Sequence, residues 1–172
     1  MIVYSASVVL VHWNGGSEYL LASGEARLVR IRVTLADVVA EGELFEDRAP
    51  RTAGALWARL PIRDRTIQAR WSGDAWRTEG NYELLDKDAP VENPAGRLSA
   101  GDIIYYPGYT SGLLKVAIAY GPSQWLAPFM EPLPVTYLGR LDTNVDAFVA
   151  RCQRIIFDGP LNVEITRGGD SS

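Results

Sequence analysis

Between Val29 and Leu35 apolar and polar residues take turns. Val29, Ile31, Val33 and Leu35 alternate with Arg30, Arg32 and Thr34. A period of two belongs to a strand with one buried face. Val38 to Phe45 reads as a second strand, and Leu35-Ala36-Asp37 turns the chain between the two. The period then changes. Pro50 suits the first turn of a helix, where its missing N–H leaves no bond unmade. Asp47 favours the positive end of that helix. Ala53, Leu56, Trp57 and Leu60 recur at helical spacing and predict a core-facing stripe, which Pro61 ends.

Thr66 to Trp71 predicts a strand with Ile67, Ala69 and Trp71 on one face and Gln68 and Arg70 on the other. Ser72-Gly73-Asp74 is a turn, and Trp76 lies on a further extended piece. The polar, proline-broken stretch from Asp86 to Pro94 is a loop. Ile103 to Tyr106 is a short strand ended by Pro107-Gly108. Leu114, Val116, Ile118 and Tyr120 alternate into another strand that stops at Gly121-Pro122. Pro128, Pro132 and Pro134 mark an irregular loop, and Val135 to Leu141 is again extended. Asp142, Thr143 or Asn144 caps a second helix, whose stripe is Val145, Phe148, Val149 and Cys152. After the turn at Asp158-Gly159-Pro160, Leu161, Val163 and Ile165 form a last strand. About eight strands and two helices predict a mainly β fold, a closed antiparallel barrel flanked by helices. Closure removes exposed sheet edges.

The chain has 172 residues, enough for one sizeable core. Residues 26–168 are expected to form the barrel domain. Residues 1–25, with Gly15-Gly16, Ser17, Ser23 and Gly24 between apolar pieces, stand apart as an extension or arm. Residues 169–172 are a frayed tail. A net charge of -4 without a long basic run argues against nucleic acid as a partner. Arg63, Arg65 and Arg70 are close, but Asp64 and Asp74 interrupt them. No stretch reaches the roughly 20 apolar residues that span a bilayer, and no Lys or Arg precedes Val8 to Val11 as a signal peptide requires. Membrane attachment is therefore not expected. Cys152 is the sole cysteine, which fits a reducing cytoplasm. His12 is the sole histidine, which leaves little room for a Ser-His-Asp triad or a His/Cys zinc site. No metal and no cofactor are expected.

Four segments carry a family resemblance. They are Glu43 to Ala53 (ELFEDRAPRTA), Trp71-Ser72-Gly73-Asp74 followed by Glu92-Asn93-Pro94, Gly101-Asp102-Ile103 with Tyr105-Tyr106-Pro107, and Tyr120-Gly121-Pro122 followed by Gly139-Arg140-Leu141. In order and spacing, Val29 to Thr166 resembles the cyclophilin-like fold family, most of all its small bacterial proteins of unknown function. The resemblance implies a closed cyclophilin-like antiparallel barrel with a cleft on its side. Cyclophilins rotate X-Pro peptide bonds with an arginine, an apolar proline pocket, and a tryptophan and histidine at its rim. Arg70 falls where the family has that arginine, and Trp125-Leu126 is similar to its Trp-Leu pair. Elsewhere the pattern departs. Ala75, Trp76 and Thr78 occupy the spacing of Phe-Met and Gln, and Leu113-Leu114-Lys115-Val116 replaces Ser-Gln-Phe-Phe. Pro134 stands near the place of the histidine. Peptidyl-prolyl isomerase activity is not expected, and no catalytic residue is assigned.

The candidate site residues follow. Arg70 can hold a carboxylate or an amide carbonyl with its planar guanidinium; its structural alternative is a surface pair with Asp74 or Glu79. Trp71 and Trp76 are cleft walls or core. Tyr106 and Tyr120 sit at strand ends, where a hydroxyl reaches either a ligand or water. Trp125, in the proline-rich loop, is a lid or contact residue. Glu92 anchors a loop across the cleft, or is a turn residue beside Asn93-Pro94. The function expected is binding of a small carboxylate or amide metabolite, or a short peptide. The rival readings are an enzyme, either a residual isomerase or an amide-metabolite hydrolase or transferase, and an assembly module that forms a homo-oligomer through its N-terminal arm.

Overall fold

The computed structural model describes residues 29–86, 89–108, 113–126 and 132–169. The expected arm over residues 1–25, the tail residues 170–172 and Pro128 lie outside the described residues.

Strands β1 (Val29–Leu35) and β2 (Val38–Leu44) form the expected hairpin, with Leu35 opposite Val38. Helix α1 (Pro50–Arg59) follows, then β3 (Ile62–Gln68), a 3-10 turn (Arg70–Ser72) and β4 (Gly73–Thr78). The remaining elements are β5 (Pro94–Ala95), β6 (Asp102–Gly108), β7 (Leu113–Ser123), β8 (Val135–Thr143), α2 (Val145–Gln153), the single turn α3 (Ile155–Asp158) and β9 (Asn162–Arg167). The strands neighbour one another in the order β2-β1-β9-β3-β4-β7-β6-β8, and β2 also pairs with β8. Every pairing is antiparallel, and the β2–β8 pairing joins the two ends of the row into a closed barrel. Strand β5 is the one outer strand. It pairs with Val135 and Thr136, so it takes over the edge of β8 that β2 leaves at Gly139.

The closed antiparallel barrel is the fold expected from the strand pattern. Three local expectations need correction. First, β3 starts at Ile62, not Thr66, and stops at Gln68 before Trp71. Pairing with β9 extends it through Arg63-Asp64-Arg65, whose charges hide the alternation of buried Ile62 and Thr66. Secondly, Asp47 does not serve α1. The first turn holds no acidic residue, and Ala49 caps it without a side-chain bond. Thirdly, Asn144 precedes α2 but makes no capping bond. Its amide donates instead to the carbonyl of Val39 at 2.7 Å.

The barrel interior is one apolar cluster. Ile31, Val33 and Leu35 of β1 meet Ile62, Trp76, Ile103, Tyr105, Val116, Ile118, Leu138, Val163 and Ile165 from the other strands. Leu56 from α1 and Phe148 and Cys152 from α2 belong to the same cluster. Burial pushes the Cys152 thiol up to about 12, with the Trp76 indole N–H pulling the other way. This is a packing cysteine, not a thiolate.

The seam between β2 and β8 needs glycine. A Cβ on Gly42 would lie 2.2 Å from the carbonyl oxygen of Arg140, and one on Gly139 would lie 2.1 Å from that of Glu43. Both contacts are with backbone, which cannot swing aside. Gly54 is the opposite case. It lies inside α1, and nothing stands within 4 Å of a Cβ placed there. Gly139→Ala is expected to lower unfolding free energy by about 3 kcal/mol or more, since overpacking here strikes main chain. Gly54→Ala is expected to raise it by about 0.5–1 kcal/mol through helix propensity. Urea unfolding of the two variants checks both signs.

Candidate functional site

The same strands that face the interior also build a second apolar cluster on the outside. On β4, Trp76 faces in and Ala75 faces out; on β6, Tyr105 faces in while Ile104 and Tyr106 face out. On β7, Val116, Ile118 and Tyr120 face in while Ala117 and Ala119 face out. Ala75 is paired with Ala119 across β4 and β7, so the middle of this outer face is a floor of small side chains. Leu98, Val135, Trp125 and partly buried Leu133 surround it. Trp125 packs on Tyr106 with ring centroids 5.7 Å apart and planes tilted by 36°. The cluster is itself buried: Tyr106 and Trp125 are each 5% exposed, and Ala75, Ala117 and Ala119 have no exposed surface.

Backbone bonds fix Trp125 at the end of β7. The Leu133 amide donates to its carbonyl at 3.0 Å, and Leu98 and Ser123 bond reciprocally at 2.9 and 3.2 Å. The Gln124 amide donates to the carbonyl of Ser72 at 2.8 Å, which ties the Arg70–Ser72 turn to the Trp125 segment. On the far side Tyr137 donates to the Asp102 carboxylate at 2.8 Å. Burial and then this bond push its phenol up to about 12. It is therefore a neutral donor at physiological pH.

The residues singled out from sequence fall into three groups. Tyr106 and Trp125 come together on the outer face, and the turn carrying Arg70 and Trp71 is bonded to the same segment. Arg70 lies in a 3-10 turn, not on a strand, because β3 has ended at Gln68; its side chain lies outside the described residues. Trp71 is 79% exposed. Trp76 and Tyr120 lie inside the barrel, Trp76 with no exposed surface and Tyr120 donating to Gln68 Oε1 at 2.9 Å. Trp125, expected to be a lid or contact residue, is only 5% exposed because it packs on Tyr106.

Glu92 sits apart from these, at the N-terminus of α1. Its carboxylate accepts from the Thr52 amide and hydroxyl, both at 2.8 Å, and from the Arg51 amide and Nε at 3.3 and 3.0 Å. It supplies the cap that Ala49 cannot, 40 residues away in sequence. Asn93 fastens the same loop, donating its amide to the Tyr137 carbonyl at 2.8 Å.

Two cations on the outer face were not visible as candidates. Arg77 lies on β4 opposite Ala117, and Lys115 lies on β7 opposite Tyr106. The signal was present in the alternation of β7. If Val116, Ile118 and Tyr120 face inward, Lys115 faces outward beside Ala117. Among the described residues no group of three or more His, Cys, Asp or Glu could hold a metal. No helix of the described residues is long and apolar enough to cross a membrane.

Comparison with known proteins identifies the chain at family level. The sequence profile of DUF3830, described as a protein of unknown function, matches residues 31–167. The chain belongs to the DUF3830 family. The family match spans β1 to β9 and so takes in the whole barrel. No curated protein matches the chain. Solved structures share the fold. McbB, in a complex with tryptophan, superposes with a TM-score of 0.64 at 19% identity, over 83% of this chain and 46% of the McbB chain. The hypothetical protein AF2241 from Archaeoglobus fulgidus superposes with a TM-score of 0.54 at 18% identity, over 84% of this chain and 100% of its own. This DUF3830 chain thus spans less than half of the McbB chain. The likeness to both is one of fold.

Glu92 gives a pH-dependent prediction. Burial raises its pKa, but the bonds from Thr52 and Arg51 together outweigh this and leave it lowered from 4.5. A lowered folded pKa stabilises the protein above the unfolded value, and that contribution is lost as pH falls through the folded one. Glu92→Gln is expected to cost about 1 kcal/mol at neutral pH, as for loss of a helix cap. The gap between wild type and variant should shrink in urea titrations as the pH drops below 4.5.

Proposed function

We propose that this protein is a bacterial cyclophilin-like domain. It binds a small carboxylate or amide metabolite, or a short peptide, on the outer face of its barrel, and acts in the cytoplasm. The observation that carries the reading is the Tyr106–Trp125 pair beside a floor of Ala75, Ala117 and Ala119. Both rings are 5% exposed and packed on each other, so a ligand reaches this apolar floor by taking the place of Trp125 on Tyr106. Trp71 and Arg70 border the face through the turn bonded to Gln124. Arg70 is the polar anchor for a carbonyl or carboxylate. Trp76 and Tyr120 stiffen the same strands from inside, and Glu92 fixes the loop that leads into β5. A relative in fold, McbB, is known in a complex with tryptophan, so aromatic amino acids belong among the first ligands to try.

The reading is recognition rather than catalysis. A proline-peptide isomerisation assay is expected to show the uncatalysed rate with or without the protein. A panel of aromatic amino acids, aryl carboxylates, their amides and short proline peptides, titrated by tryptophan fluorescence, is expected to yield saturable binding. Trp125→Ala and Tyr106→Ala should each weaken the tightest member by about tenfold or more, as truncation of aromatic anchors does. A flat response across the whole panel would sink the proposal.

A further inference from the structure

A hollow lies where the chain enters β1. Val29, Glu46, Ala53, Gly54 and Trp57 line an empty volume of about 260 Å³ that includes its open mouth. Gly54 and Glu46 are exposed and Trp57 is half-buried, so the hollow is reached from solvent. Its floor is the side of α1 that carries Ala53 and Gly54. Nothing stands within 4 Å of a Cβ placed on Gly54. Glycine weakens a helix interior relative to alanine, and here it leaves room. Arg167 lies over the Trp57 ring, 5.0 Å from its centroid, and donates to the Trp57 carbonyl at 3.3 Å, which holds the indole as a wall.

Glu46 puts a charge on the rim. Its amide bonds back to the Leu44 carbonyl at 3.1 Å, which keeps it near the level of Val29, the residue opposite Leu44. The neighbouring arginines are engaged elsewhere. Arg48 lies 3.7 Å from Asp47 and over the Phe45 ring, and Arg51 pairs with Glu92. Glu46 forms no ion pair among the described residues. An open apolar hollow with one acidic edge fits an apolar side chain followed closely by a cation.

The chain itself brings both. Residues 1–28 precede Val29, and Val29 is a wall of the hollow. Arg27 is two residues before that wall, within roughly 7 Å along the chain. Tyr19-Leu20-Leu21 is the nearest upstream run of large apolar residues, and Ser23-Gly24, a turn signal, stands between it and Arg27. A reversal there returns Leu20 and Leu21 to the level of Val29. A segment tethered so closely has an effective concentration of about millimolar, an advantage that a separate molecule lacks. We infer that residues 19–27 dock on their own barrel, with Leu20 and Leu21 against Gly54 and Trp57 and with Arg27 paired to Glu46. The inference is independent of the outer-face reading. It makes the N-terminal arm a part of its own domain rather than a contact to another copy.

The test uses the full chain with labelled leucine methyls. Wild type should show NOEs between the Trp57 indole and the methyls of Leu20 or Leu21. Filtered spectra of mixed labelled and unlabelled chains should show none between copies. Gly54→Met fills the hollow from the helix and should abolish the NOEs. Leu20→Ser with Leu21→Ser should shift the Trp57 indole resonance in wild type and leave it unmoved in the Gly54→Met background. Glu46→Lys should weaken the NOEs, and adding Arg27→Glu should restore them. The Ile118 amide resonance, in the middle of the barrel, reports whether each variant is folded. Absence of the wild-type NOEs overturns the inference whatever the variants do. NOEs between copies overturn it in favour of an arm exchanged between molecules. NOEs that survive Gly54→Met overturn the placement in the hollow, and a charge swap that restores nothing overturns the Arg27–Glu46 pair.

Discussion

The seam between β2 and β8 decides what this molecule is. Without it the strands would be an open sheet with two long edges, and open edges invite pairing with other chains. The seam holds because Gly42 and Gly139 let two backbones approach where a single added carbon would meet a carbonyl oxygen at 2.2 or 2.1 Å. Closure in turn seals the interior around Trp76, Tyr105 and Phe148, and places a second buried cluster, with Tyr106 and Trp125, on the outside of the strands. The β-bulge in the β2–β8 pairing falls between Glu41 and Gly42, at the same seam. Phe45 extends it by donating its amide to the Leu138 carbonyl, and stacks its ring edge-on against Tyr137 at 5.0 Å.

Alternation then lets one strand serve two purposes. Trp76 fills the barrel while its neighbours Ala75 and Arg77 face outward. Tyr105 is inside, with its hydroxyl donating to the Tyr82 carbonyl at 2.9 Å, and Tyr106 is outside against Trp125. The interior supplies rigidity, because large side chains at native packing density resist displacement. The outer face inherits that rigidity.

Most of the barrel was legible in the sequence because its strands alternate cleanly. Val29 to Leu35, Leu114 to Tyr120 and Leu161 to Ile165 each declare an inner face. The helices were legible from Pro50 and from the Phe148 and Cys152 stripe. Features that depend on partners distant in sequence were not. The start of β3 is set by pairing with β9, and its charged residues disguise it. The cap on α1 comes from Glu92, which no window around Pro50 contains. The outer face was half legible. Tyr106 and Trp125 were candidates, but Trp71 and Trp76 could not be sorted into outside and inside before the turn at Arg70–Ser72 was known. Arg77 was invisible for a different reason: its part-buried place beside Ala117 follows only from the pairing of β4 with β7.

Native-state hydrogen exchange at the Phe45 amide tests the closed barrel most directly. This amide bonds across the seam to Leu138 at 2.7 Å. If the cylinder is sealed, it should exchange only through global unfolding, with the free energy and denaturant dependence of the Ile118 amide in the middle of the barrel. Exchange through a local opening, faster than Ile118 and insensitive to denaturant, would mean that β2 and β8 are not joined and that the architecture described is wrong.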